Sequence, residues 1–273
     1  MQYLRHRPGP PLGAFVEHMW SLSDAPAHAR ERILPSGTLE LVINLVEDEV
    51  RVYASADASK PACHAGCVVS GAYDRPFVID TREHASIVGV HFRQGGAAPF
   101  LSVRADQLAS AHVALADLWS ATEVARLRER LCAAPTSAAR FQLLEAALMN
   151  RMTRPRDSHQ LVRAALVRMQ PALAPVNEVV TELGVSHRHF IELFAREVGL
   201  TPKTYLRVQR FQRLLALTAR SRSPQWSRLA QLCGYFDQAH LIRDFHAFAA
   251  TTPSRYLRER STTVKDNHLA LTT

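Results

Sequence analysis

Short apolar runs separated by turn residues dominate the first 105 residues of the chain. The run 39–46 is rich in β-branched residues and follows a Pro-Ser-Gly turn, and 68–70, 77–79 and 86–92 are similar short runs. Residues 49–53 alternate between apolar and polar, as a half-buried strand does. Many short strands with closely spaced turns predict a β-rich domain built as a barrel or a sandwich.

The hydrophobic period becomes that of a helix after residue 105. Apolar positions three and four residues apart predict helices within 106–152. One side of these helices carries Val124, Leu127, Leu131, Leu144 and Leu148. This apolar side is either the seam of a two-fold symmetric dimer or the surface that packs on the strands of the same chain.

The pattern beyond residue 158 is helical, and one unit of it occurs twice. The pattern Phe-x7-Pro-x-x-Tyr-Leu-Arg starts at Phe194 and again at Phe245, 51 residues later, each time after a glycine-centred turn. A repeat of this kind indicates one supersecondary unit used twice. Helix, tight turn and helix is the arrangement that places its second helix in a DNA major groove. A connecting helix from Pro202, of about 17 residues and ~25 Å, would hold two such helices roughly one DNA turn apart.

Composition shifts predict an α+β multidomain chain. We expect a β-rich domain with trailing helices at 1–152, a linker at 153–158 where a proline and polar residues break the pattern, an all-α domain at 159–260, and a flexible tail without apolar period at 261–273.

The distribution of charge supports this division of the chain. Residues 1–154 hold 16 basic and 16 acidic residues, whereas 155–273 hold 17 and 9, so the formal charge of +8 lies in the second half. A basic domain beside a neutral one indicates a polyanionic partner for the basic domain.

Helical spacing assigns the outward positions of the two candidate recognition helices, for which Ser186 and Asp237 are good N-caps. The candidate DNA-binding residues are His187, Arg188, Ile191, Glu192 and Arg196 in the first helix and Gln238, Ala239, His240 and Arg243 in the second. Arginine suits guanine, glutamine suits adenine, and small or apolar side chains suit the thymine methyl group. Plainer interpretations stay open: Ile191 as a packing residue, the histidines as solvated or phosphate-facing, and Glu192 as an ion-pair partner of Arg188 one turn away.

A set of spaced residues carries a family resemblance. These residues are Leu183-Gly184-Val185-Ser186, Phe194, Gly199, Thr201-Pro202-x-x-Tyr205-Leu206-Arg207-x-x-Arg210, Leu229-Ala230-x-x-Cys233-Gly234-Tyr235-x-Asp237-Gln238 and Phe245-x7-Pro253-x-x-Tyr256. With them, residues 159–260 resemble the DNA-binding domain of AraC/XylS-type transcriptional regulators. The chain departs from the family pattern at Glu192, Trp226, Cys233, Tyr235 and Ala249. These departures affect the operator sequence rather than the fold.

The N-terminal half resembles, less specifically, the sensory half of some of these regulators, in 32–45 and 89–96. The resemblance implies a small cupin-like barrel followed by helices, which binds an effector, mediates dimerisation, or does both. Side chains that would reach the barrel interior are Trp20, Glu40, His84, His91 and Arg93. Each of them is also an ordinary choice for a core or rim position.

The resemblance implies a DNA-binding transcriptional regulator that is not an enzyme and needs no cofactor. Its expected partners are double-stranded DNA, RNA polymerase and a small-molecule effector, and a homodimer is compatible with it. Activator and repressor roles both stay open. The N-terminus shows no secretory signal, and no apolar run approaches the ~18 residues of a membrane span, so we expect a cytoplasmic protein.

Two enzymatic alternatives find less support in the sequence. Some DNA-alkylation repair proteins fuse a methyl-accepting cysteine domain to an AraC-like domain, but Cys63-His64-x-x-Cys67 has no second ligand pair for the zinc ion that such chemistry needs. The second alternative is a cupin-type metalloenzyme in the N-terminal half. Such enzymes use two close histidines on one strand, whereas His84 and His91 are seven residues apart.

Overall fold

A computed structural model describes residues 2–23, 30–80, 86–153, 157–172, 175–219, 224–260 and 267–271. Strands dominate residues 2–114, three helices follow them, and residues 157–260 are helical, so the predicted fold class is confirmed. The predicted linker 153–158 includes 154–156, which lie outside the described residues. The division of the chain at that point therefore stays a prediction.

The strands form two antiparallel sheets. Their bounds are β1 (Gln2–His6), β2 (Val16–Ser23), β3 (Arg30–Ile33), β4 (Glu40–Asn44), β5 (Glu49–Tyr53), β6 (Ala62–Ala65), β7 (Cys67–Ser70), β8 (Phe77–Asp80), β9 (Ser86–Phe92), β10 (His112–Ala114) and β11 (His268–Leu271). The first sheet has the order β1-β2-β9-β4-β7-β10, and the second has the order β11-β3-β8-β5-β6.

The first sheet is buried on both faces, which follows from the two-residue period of a strand. Leu41 and Ile43 of β4 point to one side and belong to the large core that contains the helices. Val42, between them, points to the other side and packs with Val50 and Val52 of the second sheet. The first sheet therefore lies as a middle layer between the second sheet and the helices.

Three helices follow the strands: α1 (Leu115–Leu118), α2 (Ala121–Ala133) and α3 (Ser137–Arg151). The five apolar residues considered as a dimer seam all lie in the core of their own chain, with exposed fractions from 0% to 7%. They pack with β-sheet residues such as Met19 and Val88. The prediction of a dimer seam is therefore wrong. These helices instead pack on the strands of their own chain and cover one face of the first sheet, which would otherwise expose its apolar side chains to water.

The helical prediction for 106–152 misses a short strand. His112–Ala114 pairs with Val68–Ser70 and extends the first sheet at its edge. Three residues are too few to show a period, and their pairing depends on a strand some 40 residues earlier in the chain.

The C-terminal part contains α4 (Asp157–Ala172), α5 (Val176–Leu183), α6 (His187–Val198), α7 (Pro202–Thr218), α8 (Trp226–Leu232), α9 (Gln238–Ala249) and α10 (Pro253–Glu259). The predicted caps are in place, since Ser186 Oγ accepts from the backbone N–H of His189 and Asp237 Oδ1 accepts from that of His240. Helices α5 and α6 form the first unit, α8 and α9 form the second, and α7, with 17 residues, connects them.

The prediction of a flexible tail at 261–273 is wrong for residues 268–271. These residues form β11, which pairs antiparallel with β3 of the N-terminal part. Leu269 is fully buried, and His268 Nδ1 lies 2.7 Å from Glu31 Oε2. A sheet edge supplies backbone partners to any extended segment that reaches it, so four residues pair there without a sequence pattern of their own.

The helical part also contacts the N-terminal part through α6 and α7. The side-chain amides of Gln209 and Gln212 donate to the backbone carbonyls of Ser36 and Pro35, at 3.2 Å and 2.7 Å. At the end of α6, Gly199 has a φ of +90°, and a Cβ there would lie 3.1 Å from the Cβ of Ala72. The end of α6 and the connecting helix α7 are therefore both held against the β-rich part.

Candidate nucleic-acid interface

The first candidate recognition helix, α6, is amphipathic, with its outward side in solvent. Phe190 and Phe194 are fully buried, as their spacing predicts. The exposed outward residues are His187, Arg188, Ile191 and Glu192. These four lie in the N-terminal half of the helix, which is the half that contacts base edges in helix-turn-helix proteins.

The second candidate recognition helix, α9, repeats this arrangement. Leu241 and Phe245 are fully buried, whereas Gln238, Ala239 and Arg243 are exposed. His240 differs from these three because it is half-buried. Its ring packs edge-on against Tyr235, with ring centroids 5.3 Å apart, and its Nε2 lies 3.8 Å from Asp244 Oδ2. His240 therefore supports the turn before α9, in addition to lying beside the outward side.

Arg196 does not lie with the other candidates. It is half-buried, its Nε lies 3.6 Å from Glu197 Oε1, and it lines a cavity between α6 and residues 98–104 of the N-terminal part. The prediction that Arg196 lies on the outward side is wrong. Residue 196 is in the last turn of α6, where the helix packs against the β-rich part.

Glu192 has a different neighbour from the one predicted. The described side chains show no ion pair between Glu192 and Arg188 within 4 Å. Instead, Glu192 contributes to the raised pKa of Arg104 in the N-terminal part, after the larger effect of the hydrogen bond from Arg104 to Asp106. Arg188 is therefore not restrained by an ion pair with Glu192.

Two exposed apolar residues near α9 were missed by the sequence reasoning. Ile242 is 40% exposed, and Phe236, in the turn before α9, is 91% exposed. The repeat could have identified Ile242, because adding 51 to Ile191 gives this position, and Ile191 is 42% exposed. The same offset pairs Gly199 with Ala250, whose φ is +47°. The departure from the family's glycine therefore lies at Ala250, not at Ala249.

Arginines of α7 fix the position of the second unit. Arg207 donates to Asp244 Oδ1 of α9 from Nη2 at 2.6 Å and from Nε at 3.2 Å. Arg210 lies over the ring of Tyr235, with 5.5 Å between its Cζ and the ring centroid. Arg213 is exposed. The connecting helix therefore orients α9 through charged as well as apolar contacts.

A polar cavity of about 290 Å³ lies where the first sheet, α7 and β11 meet. Its lining includes Glu40 and His91, two of the predicted interior residues, together with Gln209 and Gln212 of α7. Trp20, a third predicted interior residue, is buried and donates from Nε1 to Glu40 Oε1 at 2.5 Å.

Of the other two predicted interior residues, the structure describes one. Arg93 is exposed and donates from Nε to the carbonyl of Gly13, at 3.0 Å. His84 lies outside the described residues.

Two histidines of the N-terminal part are held neutral. Burial lowers the pKa of His18 to about 4, helped by His91, whose ring stacks on it at 5.0 Å, and by Arg5. Burial likewise lowers the pKa of His112 to about 4, with His64 adding to the effect. An unfolded chain binds protons at both positions from about pH 6.5, the ordinary histidine value, whereas the folded chain binds them only near pH 4.

The N-terminal part is therefore expected to lose stability as the pH falls from about 6.5 to about 4, and to change little from this cause above that range. Between pH 7 and pH 5 the thermal midpoint should fall by roughly 5 °C. Thermal unfolding followed by circular dichroism checks this. The double variant His18→Asn, His112→Asn should show a shallower fall, and a fall equal to that of the unaltered chain would contradict the assignment.

The cysteines do not form the site that a methyl-accepting protein needs. Cys67 is buried, and burial raises the pKa of its thiol to about 12, so it is not a thiolate at neutral pH. Cys63 and Cys132 are exposed and Cys233 is buried. Within the described residues, no group of three or more His, Cys, Asp or Glu side chains is placed to hold a metal ion. In that same part of the chain, no helix is long and apolar enough to cross a membrane.

Two family models match the chain. One, described as a domain of unknown function (DUF6597), matches residues 4–114, which run from β1 to β10. The other, described as a helix-turn-helix domain, matches residues 179–259, which run from α5 to the end of α10. No curated protein matches the chain in sequence.

Solved structures of ToxT from Vibrio cholerae are similar to the chain at low identity. An apo lysine-to-alanine variant is 11% identical with a TM-score of 0.47, over 88% of this chain and 97% of that one. A second ToxT structure is 9% identical with a TM-score of 0.46, over 94% and 98%. A third, bound to (E)-4-(8-methylnaphthalen-1-yl)but-3-enoic acid, is 10% identical with a TM-score of 0.46, over 88% and 97%. These values are too low to carry an argument about function.

The matched helix-turn-helix segment contains both repeated units, the connecting helix and the spaced residues of the AraC/XylS pattern. In both units the outward side of the second helix is exposed to solvent. The predicted N-cap residues, Ser186 and Asp237, cap these two helices. Residues 179–259 are therefore an AraC-type helix-turn-helix domain, the DNA-binding part of a transcriptional regulator.

Proposed function

We propose that the chain is a sequence-specific transcriptional regulator that inserts α6 and α9 into two successive major grooves of DNA. The observation that carries this proposal is the pair of equivalent helices, 51 residues apart, with exposed N-terminal halves. Helix α7, with 17 residues and hence ~25 Å long, joins the two units. With its flanking turns, this length suits two grooves one DNA turn apart, so a single chain reads a bipartite site.

The outward residues take different roles in this proposal. Arg188 and Arg243 are the readers of guanine, and Gln238 reads adenine, because their side chains make paired hydrogen bonds to these bases. Ile191 and Ala239 meet apolar base edges. His187 and His240 lie beside the phosphates, and Glu192 repels phosphate on the side nearest the N-terminal part.

Replacing Arg188 or Arg243 with alanine is expected to weaken binding to the preferred sequence by about 1–3 kcal/mol each and to relax the base preference at one position. The preferred sequence comes from selection of bound duplexes out of random DNA with the full chain. Fluorescence anisotropy then gives the dissociation constant for each variant on the selected duplex and on a random one. Binding should weaken steeply as salt is raised, because counterions are released from the phosphates.

Arg213→Ala is the matched control, because Arg213 is also an exposed arginine of this domain but lies on α7. It should leave the base preference unchanged. Equal losses on selected and random DNA would make Arg188 and Arg243 phosphate contacts. Failure to enrich any sequence would contradict the proposed function itself.

Control by a small-molecule effector is part of the proposal and is supported by the cavity at the meeting point of the first sheet, α7 and β11. A ligand there would touch Glu40 and His91 on one side and Gln209 and Gln212 on the other. Those two glutamines also hold α7 to the N-terminal part. A polar ligand that competes for their amides would therefore change how the DNA-binding domain is held.

The remaining partners follow from the proposed role. A transcriptional regulator acts where the chromosome is, in the cytoplasm of a bacterial-type cell, and through RNA polymerase. A homodimer would need a surface other than the buried side of α2 and α3, because Leu131 and Leu148 are fully covered by their own chain.

A further inference from the structure

Exposed apolar side chains cluster at the start of the second recognition helix. Phe236 is 91% exposed and Ile242 is 40% exposed, and Ala239 is exposed between them in sequence. Ala239 and Ile242 are three residues apart in α9 and share a face, and Phe236 precedes the N-cap Asp237 in the adjoining turn. We refer to Phe236, Ala239 and Ile242 as the apolar strip.

The first unit shows what is particular to the apolar strip. The offset of 51 pairs Ala239 with Arg188, and Ile242 with Ile191. The first helix therefore combines an arginine with an isoleucine, whereas the second has two apolar side chains at the same positions. The turn before α9 has one residue more than the turn before α6, because Gly184 and Ser186 are two positions apart whereas Gly234 and Asp237 are three apart. This longer turn contains the exposed Phe236, so the second unit also presents a larger apolar group in its turn.

The chemistry of the major groove offers one apolar group, the 5-methyl group of thymine. Gln238 is exposed beside the apolar strip and suits adenine, the partner of thymine in the same base pair. We propose that the apolar strip reads thymine methyl groups, so that the half-site of the second helix is rich in A·T pairs while that of the first contains the guanine contacted by Arg188. This inference rests on the proposed DNA-binding function and names the feature of the DNA that the second unit recognises.

The test removes the methyl group from the DNA instead of changing the protein alone. Each thymine of the selected duplex is replaced in turn by deoxyuridine, which keeps the hydrogen bonds of the base pair. The dissociation constant of the full chain is measured for each duplex by fluorescence anisotropy at one salt concentration. At one or two positions, loss of the methyl group should weaken binding by about three- to five-fold.

The same duplexes are then measured with Ile242→Ala and Phe236→Ala. Both side chains are exposed, so these variants should fold as the unaltered chain does. At the sensitive positions, deoxyuridine should cost one of these variants little or nothing, because the contact is already absent. Leu217→Ala, at an exposed leucine of α7, is the matched control and should keep the full sensitivity to deoxyuridine.

Three results would overturn the inference. Deoxyuridine with no effect anywhere would mean that no methyl group is read, and equal effects in the unaltered chain and both variants would mean that other residues read it. Variants that keep full DNA affinity but lose transcriptional activity would make the apolar strip a docking site for a protein such as RNA polymerase. In each case the selected sequence is still bound, so the proposed function stands. Loss of all sequence-specific binding would instead contradict the proposed function and the inference together.

Discussion

Replacing Phe211 with alanine is expected to lower the free energy of unfolding of the helical part by about 3–5 kcal/mol. Phe211 is fully buried in α7, and its ring packs against Phe245 and Phe248 of α9, with centroids 5.3 Å apart in both cases. Alanine removes the ring and leaves a cavity that the helices cannot fill. Because domains are stable by only about 5–15 kcal/mol, a loss of this size removes a large part of the total.

Urea unfolding followed by circular dichroism measures this loss, and anisotropy at the same temperature measures the accompanying loss of DNA affinity. Leu217→Ala, on the same helix but 39% exposed, should cost less than 1 kcal/mol and serves as the control. A loss below 1 kcal/mol for Phe211→Ala would show that α7 and α9 do not share the core described above.

Replacing Arg207 with alanine is expected to have the second largest effect, about 2 kcal/mol in the stability of the second unit. The carboxylate of Asp244 is only 5% exposed, and Arg207 donates to it twice. Without the guanidinium, His240, at 3.8 Å, is the one ion-pair partner left to this buried carboxylate among the described side chains. The estimate is below that for a fully buried pair because the side chain of Arg207 is 37% exposed.

Affinity for the second half-site should fall with this stability, since Asp244 lies in α9 and Arg207 fixes it from α7. The double variant Arg207→Ala, Asp244→Asn should recover part of the loss, because asparagine leaves no unpaired charge in the core. Arg213→Ala is again the control. If the double variant is no more stable than Arg207→Ala, the unpaired carboxylate is not the cause.

The helical units were predictable because their signals are local. Ser186 and Asp237 cap the helices that follow them, and glycine or proline marks the turns between helices. From the N-cap of the second helix onward, the offset of 51 then fixes the second unit from the first. Each of these signals depends on residues within one or two turns of helix, so the sequence alone places the elements and most of the outward residues.

What the sequence did not predict depends on contacts between distant segments. Arg196 continues the outward side of α6 by spacing, yet the β-rich part covers it. Arg207 has the spacing of a solvated arginine, yet it meets Asp244, 37 residues later. The five leucine and valine side chains of α2 and α3 could face a partner or their own sheet, and only the three-dimensional arrangement decides between these. The sequence pattern predicts the apolar strip only in part, because a turn residue such as Phe236 belongs to no helical or strand period that would identify it.

The strand β11 has a consequence for the order in which the molecule is completed. The residues that cover the edge of β3 leave the ribosome some 235 residues after the strand that they pair with. During synthesis the backbone groups of Arg30–Ile33 on that side have no intramolecular partner, and such an edge pairs readily with other chains. A nascent or C-terminally truncated chain is therefore expected to be more prone to aggregation than the finished one.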